Sequence, residues 1–215
     1  LLVIESFANT VEIETNYYKL SDKLEYEANS MYEIKILSNQ FKEIIEIESF
    51  NNEFYNNLNI FIKKNVDKIY DEMIKIRREF HMNPELGDEE FETSKKIKEF
   101  LKKNNIEFEE VINTGVVATI YNGEGKVIAT RADIDALPIF EENDVEYKSK
   151  NIGKMHACGH DAHTTIQLGV AKLLVENKDK WNGIVRFFFQ PAEETDGGAK
   201  RMIKEGVLKF KDKLG

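Results

Sequence analysis

From Leu58 onward the apolar positions fall into a regular order, with Ile60, Phe61, Val66, Ile69, Met73, Ile76 and Phe80 recurring close to helical spacing. That helix is expected to stop ahead of Asn83-Pro84, because a residue preceding proline is pushed out of the α region. A second helical pattern runs from about Glu90 to Lys103, with Phe91, Ile97, Phe100 and Leu101 on its inner face. Two β-rich runs follow, 115–121 and 126–131, and the link Asn122-Gly123-Glu124-Gly125 predicts that they form a hairpin. The second run is read as a buried strand that leads into Ala132-Asp133-Ile134-Asp135-Ala136-Leu137-Pro138. After a polar passage, residues 164–175 read as a helix and 183–189 as another buried strand, and Gly197-Gly198 opens a last short helix to about Glu205. Upstream of this order, residues 1–57 contain no glycine or proline to fix turns. There Tyr32-Glu33-Ile34-Lys35-Ile36-Leu37 alternates like a strand, and residues 41–47 fit helix or strand equally. The chain therefore divides into an N-terminal extension, 1–57, and a domain occupying 58–215.

Strands alternating with helices after an initial hairpin argue for an α/β layer built on a mixed sheet. Ligands of such sheets bind in the crevice beyond the carboxyl ends of the strands. Asp133 and Asp135 follow one strand, Glu193 and Glu194 follow another, and the stretch Met155-His156-Ala157-Cys158-Gly159-His160-Asp161-Ala162-His163 enters the helix between them. Three groups of polar side chains are thus expected to converge.

Composition narrows what they do. With 215 residues and 41% hydrophobic content the chain can bury one good core. Thirty basic against thirty-nine acidic residues leave a net charge of −9, which repels phosphate backbones and argues against nucleic acid as a partner. No apolar run is long enough to cross a bilayer, so no membrane partner is expected. The opening Leu1-Leu2-Val3-Ile4-Glu5 does not resemble a signal peptide. A single cysteine cannot form an intramolecular disulfide, which fits a reducing cytoplasm and leaves the thiol for metal or chemistry.

The 155–163 stretch packs that cysteine, three of the four histidines and an aspartate together. Thiolate and neutral imidazole suit zinc and its transition-metal neighbours. If Cys158, His160 and Glu194 hold a divalent metal, the adjacent Glu193 is free to act as general base toward a water, and hydrolysis of an amide or ester follows. Asp133 and Asp135 would orient the ligands or complete the coordination. Taken alone, Cys158 reads more readily as a small buried hydrophobe, and Asp133 and Asp135 could cap the following turn, although their strand-end position favours a functional role for at least one. His156 and His163 fit either a substrate contact or a packed histidine, and His81 fits a helix C-terminus. Glu89-Glu90, Lys95-Lys96 and Lys102-Lys103 read as solvated helix faces.

In order along the chain, Arg77-Arg78-Glu79-Phe80-His81, Pro84-Glu85-Leu86-Gly87 with Glu89-Glu90, Arg131-Ala132-Asp133-Ile134-Asp135-Ala136-Leu137-Pro138-Ile139, the 155–163 stretch and Phe189-Gln190-Pro191-Ala192-Glu193-Glu194 resemble one family. This is the amidohydrolase branch of the zinc aminopeptidase/aminoacylase superfamily, which includes hippurate hydrolases, N-acetyl-amino-acid deacetylases and plant auxin-conjugate hydrolases. The resemblance begins at about Asn59. It implies a zinc-aminopeptidase-like catalytic domain in which Cys158, His160 and Glu194 are ligands of a two-metal site holding manganese or zinc. It further implies Glu193 as general base and cleavage of an N-acyl group from an amino acid; Asp135, from its place at the strand end, is counted with Glu193 in the catalytic set. Members of the family take two more histidine ligands from farther along the chain, and no histidine follows His163. The catalytic domain is therefore expected to be incomplete at its C-terminus, with weak or no activity from this chain alone and a homodimer for the longer protein. Three other readings remain: a metallo-carboxypeptidase or dipeptidase of the same superfamily, Cys158 as a nucleophile with a histidine base, or an inactive, metal-poor remnant.

Overall fold

The computed structural model describes residues 52–195 and 197–209. The segments at 32–37 and 41–47 lie outside the described residues. Two compact units divide the chain, Leu1–Ile62 and Lys63–Gly215, and the site lies in the second. Among the described residues no helix is long and apolar enough to cross a membrane.

Helix α1 spans Asn52–Met82 and ends one residue before Asn83-Pro84, as the proline requires. Helix α2, Phe91–Lys103, buries Ile97, Phe100 and Leu101, but Phe91 is 60% exposed and not inward. The loop ahead of α2 explains this: the Glu85 carboxylate caps the helix by accepting the Glu92 and Thr93 N–H groups at 3.2 and 2.8 Å. Phe91 therefore falls on the outer side of the first turn, and Thr93 and Ser94 are the first buried residues.

Strands β1, Glu107–Val111, β2, Gly115–Asn122, β3, Val127–Asp133, and β4, Gly183–Gln190, form one mixed sheet in the order β1-β2-β4-β3. The expected hairpin of β2 with β3 does not form. β4 lies between them, antiparallel to β2 through Asn122↔Gly183 to Val116↔Phe189, and parallel to β3 through Val127↔Ile184 to Asp133↔Gln190. The glycine-containing link must therefore step over one strand, a span of about 9.6 Å. Close approach at two glycines makes this possible. A Cβ on Gly183 would stand 2.6 Å from the Lys126 carbonyl, and one on Gly125 would stand 2.9 Å from the Gly183 Cα. Ile184 donates to the Lys126 carbonyl at 3.0 Å and seats β4 in the gap. The true hairpin is one strand earlier, β1 with β2, where Val111 faces Gly115. β3 is consequently an edge strand with exposed and half-exposed positions up to Arg131, not a buried one.

Helix α3, His160–Glu176, starts one turn earlier than the apolar pattern indicates, and after a short 3-10 turn at Lys178–Lys180 the chain enters β4. Helix α4, Gly198–Lys204, closes the described segment. On one face of the sheet Phe187 and Phe189 are fully buried, as are Ile97 and Leu101 of α2 and Leu168 of α3. α1 packs on α3 at Gly169, where a Cβ would meet Met73 Sδ at 3.0 Å. The other face carries Val117 and Phe188 against Met202 and Val207. Because β3 and β4 run parallel, their carboxyl ends lie side by side, and the candidate residues gather there.

Candidate metal centre

Asp133 ends β3 and Gln190 opposite it ends β4, and the Ile134 N–H reaches the Gln190 carbonyl at 3.0 Å. The chain past β3 is then fixed from both sides. The Ala136 N–H donates to the Glu85 carbonyl at 2.8 Å, and Leu137 and Met155 exchange a pair of 3.0 Å bonds. This rigid extension buries the Asp135 side chain and aims it in two directions. Oδ2 accepts the Glu194 N–H at 2.9 Å, and Oδ1 stands 3.3 Å from His160 Nδ1.

His160 is the first residue of α3, preceded by Gly159 at φ 81, a left-handed conformation that glycine adopts without a Cβ penalty. Its Nδ1–H donates to the Asp135 carbonyl at 2.9 Å. That bond fixes the tautomer and leaves Nε2 as the lone-pair nitrogen, 3.9 Å from Glu194 Oε1. Burial works against charge on His160, but the Asp135 bonds and the nearby carboxylates outweigh it and raise its pKa. Asp135 is likewise pushed up by burial, yet the bonds from His160 and the Glu194 amide bring it below the usual range.

Cys158, His160 and Glu194 place one ligand atom each within 4.8 Å of one another, and so do Asp133, His160 and His163. The two trios share His160, whose one free nitrogen serves one ion. In the first, Cys158 and Glu194 are exposed and His160 is buried, so the trio faces solvent from a firm base. The Cys158 thiol is raised by its hydrogen bond to Glu194, then by burial and by the charges of Glu194, Glu193 and Asp133. An environment that holds a thiol protonated in large part through carboxylates is one in which a cation reverses the balance. Asp133 is pushed up mainly by burial, against the pull of Arg131, and its Oδ1 is buried with no hydrogen bond. Thiolate, imidazole and carboxylate with ligand atoms within 4.8 Å of one another, and a buried carboxylate oxygen without a hydrogen bond on Asp133, fit a divalent ion of the zinc or manganese type.

Glu193 is exposed on the turn after β4, next to Glu194, whose amide Asp135 holds. His156 is 4% exposed, both ring nitrogens lack a hydrogen bond, and burial lowers its pKa to about 4, so it is a neutral ring. His163 is exposed beside His160, the ring centroids 5.6 Å apart.

Two buried features escape the sequence reading. His81, read there as a helix-terminus residue, sits between two carboxylates, with Nδ1 2.7 Å from Asp161 and Nε2 3.1 Å from Glu141. Arg77 Nε adds a 2.8 Å contact to the same Asp161, and the set ties α1 to the first turn of α3 beside His160. Glu90, read as a solvated face together with Glu89, is 0% exposed and accepts the Ala192 N–H at 2.8 Å. Glu89 is exposed as expected and pairs with Lys154. Periodicity misses both, because neither contact lies on the residue's own helix. The signal available was their place in the motifs Arg77-Arg78-Glu79-Phe80-His81 and Pro84-Glu85-Leu86-Gly87 with Glu89-Glu90.

Residues 129–214 match the model of Peptidase family M20/M25/M40. A "Thermostable carboxypeptidase 2" of Saccharolobus solfataricus is 53% identical over 152 residues, covering 68% of this chain and 39% of that protein. An "IAA-amino acid hydrolase ILR1-like 5" of Arabidopsis thaliana is 51% identical over 143 residues, covering 66% and 33%. Among solved structures, a dinuclear metal binding peptidase from the M20 family of Bacillus subtilis aligns with a TM-score of 0.64 at 46% identity, covering 66% of this chain and 41% of that one. The chain thus spans between a third and two fifths of the length of these curated relatives. Over the segment that contains Asp133, Cys158, His160, Glu193 and Glu194, the chain carries a Peptidase M20 domain.

Proposed function

We propose that this chain supplies the Cys158, His160 and Glu194 edge of a two-metal centre, manganese or zinc, in an enzyme that hydrolyses the amide bond of N-acyl amino acids. The observation that carries this reading is the convergence of those three ligand atoms within 4.8 Å at the carboxyl ends of two parallel strands, with Glu193 next door. When bound, such an ion supplies Lewis acidity, lowering the pKa of water to about 7 and polarising a carbonyl oxygen. Glu193 takes the proton of the attacking water and returns it to the amide nitrogen as the C–N bond breaks. Asp135 holds His160 Nδ1 through its backbone carbonyl and the Glu194 amide through its carboxylate, so one residue positions both donors. The solvent-facing side of the trio admits a small substrate, and the net charge of −9 supports a small molecule over nucleic acid. A lone cysteine supports a reducing compartment such as the cytoplasm.

A second reading, a carboxypeptidase acting on peptides, is favoured by the 53% identical relative of that name. The two separate in one assay of a protein that joins this segment to a full ligand set, loaded with manganese or zinc. Faster turnover of N-acetyl or N-benzoyl amino acids than of matched dipeptides supports the amidohydrolase. The reverse order supports the peptidase, and activity that survives a chelator but not thiol alkylation overturns both in favour of a Cys158 nucleophile.

A further inference from the structure

The Glu193-Glu194 turn is held by more than Asp135. Ala192, directly ahead of it, is fully buried and adopts φ +51, a left-handed conformation uncommon outside glycine. A residue in that state persists only where its surroundings over-determine it. Three contacts do so. The Ala192 N–H donates to Glu90 Oε1 at 2.8 Å, its carbonyl accepts the Gly198 N–H at 3.1 Å, and Gly87 packs so close that a Cβ there would meet the Ala192 Cα at 3.1 Å.

We infer that Glu90 is a positioning residue for the candidate centre: its buried carboxylate holds the Ala192 amide and thereby sets where the next two residues present their carboxylates. Glu90 is 0% exposed, and its second oxygen accepts the Thr114 hydroxyl at 2.8 Å. It stands immediately before α2, where a carboxylate ordinarily caps the helix, yet it makes no cap bond because Glu85 performs that task. A carboxylate withdrawn from water needs partners, and those of Glu90 come from the β1–β2 link and from the turn after β4. Asp88, two residues earlier, reaches the same region through a 2.6 Å pair with Arg201 of α4. The loop 84–90 is thus a brace between the start of α2 and the turn that bears Glu193 and Glu194.

This role rests on the proposed metal centre for its consequence but not for its first test. In the metal-free 215-residue chain, amide exchange at Ala192 and Glu194 is read by NMR for wild type, Glu90→Ala and Glu90→Gln. The Ala variant leaves the Ala192 N–H without its acceptor, whereas Gln keeps a carbonyl oxygen at that place. Glu90→Ala is expected to speed exchange at both amides by about tenfold or more, and Glu90→Gln to restore most of the protection. Ile97→Ala, a core truncation in the same helix, is expected to lower the unfolding temperature without singling out these two amides. A change confined to Ala192, with Glu194 unmoved, overturns the proposal, as does an equal effect of Ile97→Ala. Manganese titration of the same variants then separates the two ideas. Weakening by about tenfold in Glu90→Ala, recovered in Glu90→Gln, agrees with both. Loss of amide protection at both residues together with manganese binding that Cys158→Ala does not alter leaves the brace standing and removes the metal reading.

Discussion

At the scale of single residues, the site separates ligand from base by one position. Glu194 has its amide pinned to Asp135 and its carboxylate within reach of Cys158 and His160, whereas Glu193 has the neighbouring position on an exposed turn. In a protein that joins this segment to a full ligand set, Glu193→Gln is therefore expected to keep the metal and lose turnover by a factor of about a hundred or more, and Cys158→Ala to lose metal as well. Metal content by elemental analysis beside kcat checks both, and full activity of the Gln variant would remove Glu193 from its role. These residues were legible because their chemistry is written in adjacent letters: a cysteine, a histidine two positions on, and a pair of glutamates after an apolar strand. Glu90 and His81 were not, because a buried carboxylate and a surface one look alike in sequence. What distinguishes Glu90 is an amide 102 positions away.

Helices and strands hold that chemistry through a few cross-element contacts. Glu72 of α1 accepts from Lys172 of α3 at 2.7 Å and from Lys103 at the end of α2 at 3.3 Å. The Lys172 bond in the first place keeps the Glu72 pKa below its ordinary value. A carboxylate with a depressed folded pKa contributes stability above its unfolded pKa and loses it as pH falls through the folded value. Glu72→Gln is thus expected to cost roughly 0.5–1 kcal/mol in urea unfolding at pH 7, with the difference shrinking as pH falls past the ordinary glutamate value of about 4.3 and through the lower folded one. A pH-independent difference would contradict the ion pair. Gly198 has a different task, since a Cβ there would collide with the Pro191 carbonyl. Gly198→Ala must displace that carbonyl or α4, at about 1–3 kcal/mol, and by moving Pro191 should also weaken metal binding. Stability loss with unchanged metal affinity would show that the shift is absorbed by α4. The helices were legible from period and proline, down to the end of α1. The sheet order was not, because the insertion of β4 between β2 and β3 is decided by long-range pairing, while the local Asn-Gly signal favours a hairpin.

Across the whole molecule, Cys158, His160 and Glu194 gather at the ends of β3 and β4, within the segment that matches Peptidase family M20/M25/M40. An ion that binds the folded chain and not the unfolded one raises stability by about 2.7 kcal/mol at a hundredfold excess over Kd. Zinc or manganese should accordingly raise the unfolding midpoint in a concentration-dependent way, and Glu194→Ala should blunt the effect. The most direct measurement is an anaerobic cobalt(II) titration of the chain and of Cys158→Ser, followed by absorption. The account predicts a thiolate-to-cobalt charge-transfer band that saturates at about one ion per chain and disappears in the Ser variant. Cobalt binding without that band, or a band that survives Cys158→Ser, would contradict it.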